Sequence, residues 1–221
     1  IMKPMSAGTM FRFFILAYGG MMVGSLIVAL FSALVPGGFD TPDFSPSSDL
    51  LGNILLVITT VIAAPLFEEY LFRGVCMMGL KRYGNGFAIL VTSFLFAFMH
   101  GNVPQAVPIF FFSLVLCYVD IRTDSLLPGL IFHIANNAIS QMMLFIQNEA
   151  ILALFGLFVL VIIIAAVVIF ILELQKKERI QAELKSPYDF RFSAFFNNWA
   201  SITLLVLLIV MMAVNILAPL T

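Results

Sequence analysis

Charge is what this sequence has least of. Its 221 residues include 11 Lys and Arg and 12 Asp and Glu, 10% charged against 62% hydrophobic, with a mean hydropathy of +1.10. A soluble domain carries about 25% charged residues, so this scarcity excludes a water-soluble core and implies a polytopic membrane protein. Cysteine is nearly absent too. Cys76 and Cys117 stand apart within apolar runs, where they read as packing residues rather than a disulfide or a nucleophile. There is no internal repeat, zinc-finger spacing or glycine-rich phosphate loop. The alternating apolar pattern of a membrane barrel is missing as well. The basic segment 175–191 suits a helix end lying against anionic membrane lipid, not a nucleic acid.

What the chain does have is a series of long apolar runs. Spans are expected at about 12–35, 51–80, 86–101, 104–120, 126–147, 150–173 and 200–219, given the ~20 residues a helix needs to cross a bilayer. Lipid cannot satisfy open backbone groups, so these runs must be helices. The expected fold is therefore all-α: a transmembrane bundle of about seven helices forming one domain over residues 1–221. Lys3 and Arg12 precede the first run, Lys81 and Arg82 follow the second, and Arg122 follows the fourth. Lys176, Lys177, Arg179, Lys185 and Arg191 follow the sixth, whereas loops 36–50 and 148–149 carry only Asp40, Asp43, Asp49 and Glu149. That alternation predicts a cytoplasmic N-terminus. The first run is too long for the apolar core of a signal peptide.

Against this background, "FEEYLFRG" at 67–74 places three full charges inside an apolar run. An ionisable side chain there costs about 2.5–3.5 kcal/mol on insertion scales and is a functional candidate by default. Glu68, Glu69 and Arg73 are joined by His100 and His133, the two histidines of the chain, so three helices contribute. Glu69 and Arg73 are four apart and share a helix face, which predicts an ion pair. Glu68 is turned about 100° away and is left to face something else. Phe96 precedes His100 by four residues and packs beside it; His133 and Asn137 likewise share a face. Asn136 points elsewhere and is expected to bond to another helix. Counted along their helices, these groups converge near mid-membrane, in a bundle-core site open toward the cytoplasm.

A glutamate with a histidine can hold and deprotonate a water. A second histidine with an asparagine can donate hydrogen bonds to an oxyanion. Together they supply what amide hydrolysis needs, and no serine or cysteine stands in a nucleophile motif beside either histidine. Two histidines and a glutamate also make a three-ligand zinc set, but the spacing is not His-Glu-x-x-His, and Glu68 as a ligand leaves no obvious base. A metal-free site is the expectation, with zinc as its alternative.

"EEYLFR", "FAFMH" and "HIANN", in that order over about 57–140, resemble the CAAX protease and bacteriocin-processing family, the type II CAAX prenyl endopeptidases also called Abi proteins. The resemblance implies an intramembrane glutamic protease. Glu68 and His100 would activate water, His133 and Asn137 would form the oxyanion hole, and Glu69, Arg73 and Phe96 would support them. It also implies a hydrophobic or lipidated peptide substrate, and the short loops imply a prokaryotic cell membrane. Two other classes compete: a non-catalytic peptide-binding or bacteriocin-immunity protein, and a proton or ion carrier. The absence of broken helices and repeated halves argues against the carrier.

Overall fold

A computed structural model describes residues 5–35, 38–39, 43–184 and 199–217. Lys3, Asp40, Lys185 and Arg191, and the last residues of the seventh expected span, lie outside them. Every regular element among the described residues is helical: α1 (Ala7–Ser32), α2 (Leu50–Tyr83), α3 (Asn85–Phe98), α4 (Val103–Thr123), α5 (Leu127–Leu144), α6 (Glu149–Leu174), α7 (Lys177–Leu184) and α8 (Trp199–Leu217).

The starts are set by side chains that satisfy orphan N–H groups. Ser6 accepts from Thr9, Asp49 from Leu51 and Gly52, Asn102 from Gln105, and Asn148 from Ala150 and Ile151. The tight reversal from α2 to α3 passes through Gly84 at φ 112°, a conformation open to glycine because it lacks a Cβ.

Helices α1, α2, α4 and α6 are long and apolar enough to cross a membrane. The other expected spans differ for identifiable reasons. The 14 residues of α3 reach about 21 Å at 1.5 Å per residue, short of a bilayer core of about 30 Å. The 18-residue α5 carries His133, Asn136, Asn137, Ser140 and Gln141, which dilute its apolar character. The apolar part of α8 runs from Ser201 to Val214.

Packing centres on α4. Phe13, Ala17, Tyr18 and Met21 of α1 meet Phe112, Leu116 and Val119 of α4 and Phe132 of α5 in one buried cluster. By contrast α2 and α6 present most of their apolar surface outward, as lipid-facing helices do. One contact sets the seat of α5. Asp120 of α4, only 3% exposed, accepts the Gly129 N–H at 2.9 Å, so it caps the first turn one helical turn before His133. A Cβ at position 129 would lie 2.5 Å from the second carboxylate oxygen, so glycine is needed for that approach.

Candidate active site

The pairing expected from the i, i+4 spacing is present. Glu69 Oε1 lies 3.2 Å from Arg73 Nη1, with the two side chains 2% and 0% exposed. Arg73 also donates from Nη2 to Ser113 Oγ at 2.8 Å, and its guanidinium sits 4.1 Å from the centroid of the Phe96 ring. A buried guanidinium is tolerated only when paired and hydrogen-bonded, and three helices contribute to that here. Phe96 does more than pack beside His100: its edge-to-face contacts reach both histidines, with centroids 5.3 Å from His100 and 5.7 Å from His133.

His133 ties the two glutamates together. Its Nδ1–H donates to Glu69 Oε1 at 2.7 Å, and Nε2 lies 3.6 Å from Glu68 Oε2. With Nδ1 committed as a donor, Nε2 carries a lone pair in the neutral ring and an N–H in the imidazolium. His100 is fixed differently. Its Nδ1–H donates to the Phe96 carbonyl at 2.9 Å, which leaves Nε2 as a free acceptor in the neutral ring.

Asn137 is oriented by the backbone of α2. That helix contains two π-helical stretches, Thr59–Ala63 and Tyr70–Met77, on either side of the segment that bears the glutamates. In the first, the Ala64 N–H bonds to the Thr59 carbonyl. The same register would give the Thr60 carbonyl the N–H of residue 65, but residue 65 is proline and has none. Asn137 Nδ2 donates to that orphan carbonyl at 2.9 Å. Asn136, expected to bond to another helix, instead donates to Asn137 Oδ1 at 3.1 Å. An amide has two N–H donors, so Asn137 keeps one N–H unspent.

Glu68, 19% exposed, shares a cavity of about 370 Å³ with Thr60, His100, His133 and Asn137. Glu69, Arg73 and Phe96 lie behind it. All seven candidate residues thus meet in one region. Ser113, Asp120, Thr60 and Pro65 escaped the sequence analysis, although an isolated serine in "FFFSLVLC" and a proline two residues before Phe67 were visible signals.

The cavity opens toward one end of the bundle. Its rim is formed by Phe44 before α2, Gln105 in the first turn of α4, and Ser140 and Leu144 in the last turns of α5. Those positions lie at the end of the bundle opposite Lys81, Arg122 and Arg179. Toward the basic end the way is blocked by Arg73, Ser113, Leu116 and Cys117, all 0% exposed. Counting residues along helices carries no information about which side is plugged.

Comparison with known proteins adds one match. Residues 50–139 match the family described as type II CAAX prenyl endopeptidase Rce1-like. Comparisons with the curated proteins and with the solved structures gave no significant match. The matched stretch holds all three motifs, from Glu68 to Asn137, and agrees with the resemblance read from them. By that match, segment 50–139 of this membrane protein is similar to the Rce1-like type II CAAX prenyl endopeptidase family.

Proposed function

We propose that the protein is an intramembrane endopeptidase that uses water, activated by Glu68 and His100, to cleave a hydrophobic or lipidated, CAAX-like peptide. The observation that carries this reading is the donor and acceptor inventory of the cavity: a carboxylate, an imidazole with a free Nε2, and an amide with one unspent N–H. The water oxygen attacks the scissile carbonyl carbon while its proton passes to Glu68, with His100 Nε2 as the second acceptor. The oxyanion takes hydrogen bonds from Asn137 Nδ2 and from His133 Nε2 in its imidazolium form. The C–N bond then breaks, and the proton held by Glu68 goes to the departing amine. Glu69 and Arg73 act behind this set by holding His133. The remaining apolar helices complete a bundle of about seven spans in a prokaryotic membrane, in contact with its lipids.

The mechanism is written without a metal, and zinc is its alternative. Both histidines spend Nδ1 within the protein and keep Nε2 for the cavity, which serves a proton acceptor or a metal ligand equally. The test is cleavage of quenched fluorescent peptides, prenylated and unprenylated, by detergent-purified protein with and without a chelator. Cleavage is expected to survive chelation. Loss that zinc restores would replace the metal-free mechanism, and peptide binding without cleavage would favour the immunity or binding-protein reading.

The Thr60 carbonyl yields a prediction of unusual sign. Pro65→Ala restores an N–H for that carbonyl and so competes with Asn137. It is expected to lower kcat by about 10- to 100-fold with KM little changed, since small displacements of an oriented group have effects of that size. Proline in a helix interior costs about 3 kcal/mol, so thermal stability should hold or rise. A fall in both stability and activity would point to simple loss of packing instead.

A further inference from the structure

The position of the cavity mouth bears on what the site can reach. The basic end of the bundle is a connected surface. Lys81 lies 3.8 Å from Asp124, Arg122 lies 3.8 Å from Glu183, and Asn85 donates to the Glu183 carbonyl at 2.7 Å. The basic residues after the second, fourth and sixth apolar runs therefore share one face, as an alternating charge pattern requires. The opposite face carries the cavity rim, and its described loops present Asp43, Asp49 and Glu149 with no Lys or Arg.

The barrier between the site and the basic face is substantial. Arg73 spans from Glu69 to Ser113, and below it lie Met77 at 1%, Leu116 and Cys117 at 0%, and Asp120 at 3% exposure. On the other side nothing comparable among the described residues closes the cavity. Phe44 is 41% and Leu144 43% exposed, and Ser140 is exposed as well. A peptide reaching Glu68 from the basic face would have to displace the charge cluster that makes the site. One arriving from the rim passes, among the described residues, Phe44, Gln105, Ser140 and Leu144.

Positive loops stay on the cytoplasmic side of a membrane. We propose that the site takes its substrate from the non-cytoplasmic face, so that the hydrophobic or lipidated peptide it cleaves belongs to an exported or membrane-anchored polypeptide. This rests on the endopeptidase reading above, and its test is chosen to be independent of activity.

Single cysteines are introduced at the rim, as Ser140→Cys and Gln105→Cys, and on the basic face, as Lys177→Cys. A membrane-impermeant maleimide is applied to sealed right-side-out and inverted vesicles, with wild type giving the background from Cys76 and Cys117. The rim cysteines are expected to label in right-side-out vesicles and to lose that labelling in inverted ones, with Lys177→Cys showing the reverse. Rim labelling in inverted vesicles, on both sides or on neither side, would overturn the proposal. If the purified protein cleaves peptides but the rim labels from the cytoplasmic side, only this inference falls. If it cleaves none, the endopeptidase reading falls whatever the labelling shows.

Discussion

Glu68→Gln is expected to lower kcat for peptide hydrolysis by about 10²- to 10⁴-fold, the range supplied by a positioned general base. Thermal stability and peptide affinity should stay close to wild type. Glutamine keeps the size and shape of the side chain but cannot take a proton from water. The structural cost is small because Glu68 faces the cavity, and its nearest ionisable partner on another helix, His133 Nε2, is 3.6 Å away. No buried partner is left unpaired. Single-turnover kinetics beside a binding measurement with the same peptide separates the two effects: the chemical step falls and the Kd holds. A variant that keeps its rate would remove Glu68 from the mechanism, and one that no longer folds would make it structural.

Arg73→Ala should show the opposite profile, losing stability and activity together. The substitution strands Glu69, 2% exposed, without its cation, and it removes the Ser113 hydrogen bond and the contact with Phe96. Breaking a buried pair from one side costs about 3–5 kcal/mol, enough to use up much of a domain's stability. Activity should follow, because Glu69 also holds His133 by its Nδ1–H. Arg73→Lys is expected to recover only part of the loss, since an ammonium cannot span Glu69 and Ser113 as a planar fork does. A double variant, Glu69→Gln with Arg73→Met, should be more stable than Arg73→Ala because no charge is stranded. Thermal unfolding in detergent measures all three. A stable, fully active Arg73→Ala would refute this account of the cluster.

Several site features were legible before any coordinates, and they are the ones that depend on local spacing. Glu69 and Arg73 pair because four residues bring side chains to one helix face, and that geometry survives even in a stretch that is partly π-helical. Phe96 reaches His100 for the same reason. The helical class followed from apolar run length, since a bilayer admits no open strand edge. The number of crossings was less legible. A helix such as α5 spends its apolar character on Asn136, Asn137 and Gln141, whose partners are invisible until the neighbouring helix is in place.

Three features of the candidate site came from packing between segments remote in sequence. His133 meets Glu69 across 64 residues and so selects which ring nitrogen is committed. Asn137 finds the Thr60 carbonyl across 77 residues, at a spot where Pro65 has left the helix one N–H short. The cavity mouth depends on which side of Glu68 is filled by Arg73, Ser113 and Leu116. Apolar run length and charge order needed only the chain itself, because the membrane imposes the same rule on every segment. Orientation, tautomer and access depended on which side chains of other helices occupy the space around each group, and no spacing along one helix contains that information.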